Sequence, residues 1–146
     1  ELADFIAIGT NDLTQYLLAA DRELSAESDQ VTAMHPAVLR AIHQIASAAK
    51  RWDRPICVCG EEAGDPEFAE LLIGLGIQEL SVSASRSESL RTAIAHIDST
   101  KACHLVQRAQ NCRCPKEVRD LLRSAKQAET FEDLDSQSID AIKACS

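Results

Sequence analysis

Phe5-Ile6-Ala7-Ile8-Gly9-Thr10-Asn11-Asp12-Leu13-Thr14-Gln15-Tyr16 is the stretch whose reading decides the fold. Phe5 to Ile8 is a short apolar run with the length and bulk of a buried parallel strand. Gly9, Thr10, Asn11 and Asp12 are small or polar and suit a sharp turn. Leu13, Tyr16, Leu17 and Ala20 then recur at helical spacing. The stretch therefore reads as strand, turn and helix, with an amide and a carboxylate at the carboxyl end of the strand. Ligands gather at that end in parallel sheets and barrels. Asn11 and Asp12 could hold an oxyanion and a divalent metal there. On pattern alone, Thr10 or Asp12 could equally well only cap the helix.

Pro55-Ile56-Cys57-Val58-Cys59-Gly60-Glu61 repeats the arrangement, an apolar strand ending in a thiol and a carboxylate. Asp65 then suits a helix N-cap and Pro66 a first helical residue. Two strands that both end in reactive side chains imply one site shared between neighbours.

The rest of the chain alternates in the same way. Strand one covers residues 4–9 and a helix residues 12–20. Pro36 opens a long helix with Val38, Leu39, Ile42, Ile45, Ala46 and Ala49 on one face, and Lys50, Arg51 and Arg54 near its end. Strand two is Ile56 to Cys59. The helix from Pro66 to Leu75 turns Phe68, Leu71, Leu72 and Leu75 inward, and Gly74 and Gly76 favour its termination. Glu79 to Ser83 alternates like a wall strand. Ser85-Arg86-Ser87-Glu88 has capping-box spacing ahead of a helix carrying Leu90, Ala93, Ile94 and Ile97. Strands alternating with helices predict a parallel α/β sheet. Residues 101–110 and 116–128 read as helices, and 129–146 as a short helix or tail.

Composition narrows the function. A hydrophobic content of 45% suffices for a core. A net charge of −8 argues against nucleic acid as a partner, and no apolar run is long enough to enter a membrane as a span. Strong helical patterning and ample apolar residues make crosslinks unnecessary, so the six cysteines read as free thiols in a reducing, cytoplasmic setting, without a visible signal peptide. Cys57 shares the strand face of Cys59 and reads as a core filler.

Ile8 to Tyr16, then Ala20-Asp21-Arg22, His35-Pro36 and Cys59-Gly60-Glu61-Glu62-Ala63-Gly64-Asp65, together resemble the phosphoenolpyruvate-utilising enzymes. The nearest resemblance is to enzyme I of the bacterial phosphotransferase system, including its nitrogen-related paralogue, across residues 1–98. Pyruvate phosphate dikinase and phosphoenolpyruvate synthase share the Asn-Asp and Cys-Gly blocks but differ around Arg22, and form the alternative. A non-catalytic barrel module for dimerisation or regulation is an alternative of another class.

The resemblance implies a (β/α)8 TIM-type barrel that binds phosphoenolpyruvate with magnesium at its carboxyl end. It implies Asp12 as a magnesium ligand, Asn11 and Arg22 as contacts to the substrate phosphate, and Cys59 as the acid that exchanges a proton with the methylene carbon. It further implies a histidine-containing phosphocarrier protein as partner, a homodimer, and a role in sugar transport or its nitrogen-linked counterpart. None of His35, His43, His96 or His104 has the Gly-rich surroundings of the family's acceptor histidine, and His35 reads as structural.

A whole barrel takes about 250 residues and eight strands. The three strands found here therefore predict the last portion of a barrel over residues 1–98, followed by C-terminal helices over 99–128. The acceptor histidine, a second metal carboxylate and further phosphate-binding arginines are expected on other parts of a longer chain, so this segment alone is expected to be inactive.

Overall fold

The computed structural model describes residues 3–20 and 29–128. Three strands form one parallel sheet in the order β1-β2-β3: β1 (Ile6–Gly9), β2 (Ile56–Cys59) and β3 (Glu79–Ser81). The helices are α1 (Thr10–Leu17), α2 (Pro36–Arg51), α3 (Pro66–Gly74), α4 (Ala84–Ile94), α5 (Ser99–Gln110) and α6 (115–128), with a 3-10 turn over Glu62–Gly64. The predicted α/β alternation is present. Arg22 and residues 129–146 lie outside the described residues.

Register fixes the two faces of the sheet. Ile6 pairs with Ile56 and Ile8 with Val58, which in turn faces Leu80. This face meets the helices: Ile8 and Val58 are buried, and Ile6, Ile56 and Leu80 pack against the same core. On the opposite face lie Ala7, Cys57 and Glu79 in one row, and Gly9, Cys59 and Ser81 in the next. Ala7, Gly9, Glu79 and Ser81 are exposed. Strand one was expected to be buried and to begin at residue 4. Instead it begins at Ile6, one of its faces is bare among the described residues, and Phe5 is 67% exposed.

One core runs through the helices. Val38, Leu39 and Ile42 of α2, Phe68, Leu71 and Leu72 of α3, Leu105 and Val106 of α5, and Val118 and Leu122 of α6 all belong to it. Each of these side chains contributes roughly 1.5–3 kcal/mol of apolar transfer free energy when fully buried. The C-terminal helices therefore share the core that holds the sheet. Lys126 also reaches Glu67 on α3 at 2.8 Å.

Helix ends follow local chemistry. His35 caps α2, its Nδ1 accepting from the Ala37 N–H at 3.1 Å, with Pro36 as the first helical residue. Asp65 caps α3 by accepting from the N–H groups of Glu67 (2.7 Å) and Phe68 (3.3 Å). At the other end of α3, Gly76 has φ +84, and the Ile77 and Gly76 N–H groups donate to the carbonyls of Leu72 and Ile73. This is a Schellman termination, which favours glycine because a Cβ is strained at that backbone angle.

Several expectations need correction. α3 ends at Gly74, one residue before the expected end, and Gly74 also faces α5. A Cβ there would come within 2.3 Å of the Ala102 carbonyl oxygen, so its role is to let α5 approach. Helix one begins at Thr10 rather than 12 and ends at Leu17 rather than 20. Its buried residues are Thr10 and Thr14, whereas Tyr16 and Leu17 face solvent. Neither Thr10 nor Asp12 caps it; the N-cap is Gly9, without a side-chain bond. The capping box at Ser85 does not form, because α4 already begins at Ala84. Ser85 Oγ instead lies 3.1 Å from Ser83 Oγ. Strand three ends at Ser81, two residues early, and of the predicted inward residues of α4 only Leu90 is buried.

Candidate functional site at the strand tips

The carboxyl ends of β1 and β2 are tied together. Gly9 and Cys59 are register partners, so the two strands end level with each other. Thr10, immediately after Gly9, is 1% exposed and donates its hydroxyl to the Cys59 carbonyl at 3.1 Å. The chain then turns sharply at Gly60, whose φ is +137. A Cβ on Gly60 would stand 2.0 Å from Thr10 Oγ1 and 3.0 Å from Asn11 Oδ1. Glycine is required here both by the backbone angle and by the approach of the first turn of α1.

Cys59 is half-buried on the bare face of the sheet, with Sγ 3.5 Å from the Ile8 carbonyl oxygen. Asn11 is exposed in the first turn of α1 and lines an open cavity of about 630 Å³. Gly60, Glu61, Ser81, Ser83 and Arg86 are among its other walls, so the tips of all three strands meet there. Asp12 follows Asn11 in the same turn and is exposed. A carboxylate in that turn suits the positive end of the helix dipole. The structure thus brings Asn11 beside the Cys59-Gly60 turn, places Asp12 next to Asn11 in sequence but not among the cavity's lining residues, and does not describe Arg22.

Cys57 lies one row below Cys59 on the same face, opposite Glu79. Its thiol is pushed up by loss of solvent first, then by the Glu79 carboxylate and by Cys59. These surroundings favour the neutral thiol.

Sequence reasoning missed three residues that build this end of the molecule. Thr10 stood inside the decisive stretch, but its bond runs to a strand 49 residues away. Glu62 accepts from the Thr32 hydroxyl (2.7 Å) and the Ala33 N–H (2.9 Å), so it joins the turn after Cys59 to the segment entering α2. Arg86 donates from Nη1 to the Glu61 carbonyl at 3.0 Å. Its signal in the sequence was a lone cation just beyond a strand end, within a serine-rich run that reads as a helix cap.

Magnesium takes oxygen ligands and is commonly held by one or two carboxylates together with substrate phosphate. The Asp12 carboxylate and the neighbouring Asn11 amide oxygen are donors of that kind. Among the described residues there is no cluster of three or more His, Cys, Asp or Glu able to hold a metal by itself. Two oxygen donors of this kind suit a hard cation and leave its other positions to further groups.

Residues 1–99 match the PEP-utilising enzyme family through its PEP-binding domain, so this chain belongs to that family. Among individual proteins, it is 44% identical over 119 residues to a phosphoenolpyruvate-protein phosphotransferase of Haloferax volcanii, an overlap of 82% of this chain and 21% of that protein. It is 44% identical over 122 residues to a multiphosphoryl transfer protein of Xanthomonas campestris, covering 82% of this chain and 14% of the relative. A phosphoenolpyruvate-dependent phosphotransferase system protein of Escherichia coli K12 is 40% identical over 116 residues, 80% of this chain and 16% of the relative. The chain thus spans roughly a fifth or less of the curated relatives it matches.

Proposed function

We propose that this chain is the C-terminal phosphoenolpyruvate-binding segment of a phosphoenolpyruvate–protein phosphotransferase. The observation that carries the reading is the tie between the tips of β1 and β2, which sets Asn11 beside the turn that bears Cys59. The names of the relatives support the same substrate class.

In this reading the three strands are an arc of a (β/α)8 barrel. One face of the arc is covered by helices, and the rows Ala7-Cys57-Glu79 and Gly9-Cys59-Ser81 face the interior. Residues elsewhere in the longer protein complete the wall and pair the outer edges of β1 and β3. The same reading carries a homodimer, a cytoplasmic setting and a phosphocarrier protein as the final acceptor. No helix among the described residues is long and apolar enough to cross a membrane.

The chemistry divides among named groups. Asn11 and Arg22 hold the substrate phosphate. Asp12, with Asn11 beside it, would hold magnesium, which when bound neutralises phosphate and enolate charge. The P–O bond of the substrate breaks as the phosphoryl group passes to a histidine in another domain, leaving the enolate of pyruvate. Cys59 gives its thiol proton to the methylene carbon, whose electron pair forms the new C–H bond, and the thiolate is reprotonated from solvent. None of His35, His43, His96 or His104 stands in a Gly-rich segment, so this reading expects no phosphoryl transfer from these 146 residues by themselves.

The test uses the full-length protein. Cys59→Ala should abolish exchange of pyruvate methyl protons with solvent while phosphoenolpyruvate still binds. Asp12→Ala should abolish magnesium-dependent binding of oxalate, an enolate mimic. Unchanged proton exchange in Cys59→Ala would refute the assignment of Cys59, and phosphoenolpyruvate binding absent from the wild-type protein would refute the reading as a whole.

A further inference from the structure

Arg86 lies in the first turn of α4, on the far side of the cavity from Asn11. Two contacts seat it. Its Nη1 donates to the Glu61 carbonyl at 3.0 Å, two residues beyond Cys59. Its aliphatic stem lies over Gly64, where a Cβ would come within 2.8 Å of Arg86 Cδ and 3.5 Å of its Cβ. The absence of a side chain at Gly64 therefore opens the space that the arginine occupies, although Gly64 shows no positive φ that would otherwise call for glycine. Between these two contacts Arg86 spans the whole turn from Glu61 to Gly64. Arg86 is also the cationic side chain among the described residues that line the cavity.

From this seating we infer that Arg86 is a positioning residue: it clamps the Cys59-Gly60-Glu61 turn onto α4 and so holds the Cys59 thiol in line with the substrate. The inference rests on the role proposed above for Cys59. Thr10 holds the Cys59 carbonyl from β1, Glu62 anchors to the segment before α2, and Cys59 is paired in register with Ser81 of β3; beyond that ladder, Arg86 ties the Glu61 carbonyl to α4. A misplacement of about 1 Å in a reacting group can lower a rate by as much as 100-fold without loss of fold.

The test compares wild type, Arg86→Ala, Arg86→Lys and Gly64→Ala in the full-length protein. Labelling of each cysteine by iodoacetamide is followed by peptide mass spectrometry, and kcat and KM for phosphoenolpyruvate are measured alongside. Arg86→Ala and Gly64→Ala should both speed labelling of Cys59 by about threefold or more, leave the exposed Cys103 on α5 unchanged, and lower kcat by about tenfold with KM moved less than about threefold. Arg86→Lys, which retains a donor, should recover part of kcat. If Arg86→Ala does not fold, Gly64→Ala and Arg86→Lys decide the matter by the same readouts. Cys59 labelling at the wild-type rate in the folded variants overturns the inference. A wild-type protein that does not turn over phosphoenolpyruvate would refute the proposed function, and the clamp would then stand or fall on the labelling alone.

Discussion

Thr10 and Cys59 are joined by a single bond, the Thr10 hydroxyl donating to the Cys59 carbonyl at 3.1 Å, and this bond holds two strand ends at a common level. The hydroxyl is buried and also faces Gly60, so there is no room for a substituent between the two turns. Thr10→Val keeps the shape and loses the donor; it should destabilise the fold by about 1 kcal/mol. Thr10→Ser should lose less. Gly60→Ala combines a φ of +137 with a Cβ 2.0 Å from Thr10 Oγ1 and should lose about 2 kcal/mol or more. Urea midpoints of the three variants check the order, and Thr10→Val proving worse than Gly60→Ala would contradict it.

Gly74 makes the contact between α3 and α5. Glycine to alanine within a helix normally stabilises by up to about 1 kcal/mol. Here the added methyl would meet the Ala102 carbonyl oxygen at 2.3 Å and its carbon at 2.6 Å, both backbone atoms that cannot rotate aside. Gly74→Ala should therefore lower stability by about 1–3 kcal/mol. A thermal midpoint that rises would show that α5 can shift freely.

The Glu62 carboxylate holds the Thr32 hydroxyl and the Ala33 N–H from one oxygen. Bonds to a charged acceptor are worth about 1.5–3 kcal/mol each when their loss strands a partner. Glu62→Ala should cost about 2 kcal/mol, and Glu62→Gln less, since the amide oxygen can accept in the same place. Hydrogen exchange of the Ala33 amide should quicken in the alanine variant, and protection as in the wild type would argue against the anchor.

His35 caps α2 only while its Nδ1 is unprotonated. Burial first, and the Arg40 charge second, lower its pKa from the ordinary 6.5. The fold therefore disfavours the protonated ring. Its contribution is complete above pH 6.5 and is lost as pH falls below that value toward the folded pKa. His35→Asn keeps a capping acceptor without the titration. Between pH 7 and 5 the variant should lose stability less steeply than the wild type, measured as urea midpoints. Parallel slopes would exclude His35 as the source.

The elements were legible wherever neighbours along the chain set them. Pro36 and Pro66 opened helices where expected, Asp65 capped one, and Ile56 to Cys59 formed the expected strand. The inward face of α2 was legible too, because apolar spacing on a helix depends on that helix alone. The site was legible only as two separate strand ends. Leu13, Tyr16 and Leu17 stand at helical spacing, yet α1 buries Thr10 and Thr14, a choice made by what β2 and the rest of the core present to it.

The residues by themselves determined the alternation of strands and helices, the helix starts at proline and aspartate, and membership of a family whose blocks lie in order along the chain. Tertiary structure alone decided that Thr10 would meet Cys59, that Glu62 would hold Thr32, that Arg86 would rest on Gly64 and Glu61, and that Gly74 would admit α5. Propensity and capping act over a few residues, so they are written in local order. These four contacts join elements 22 to 49 residues apart, and their geometry exists only once the sheet register and the packing of the helices have set the distances between them.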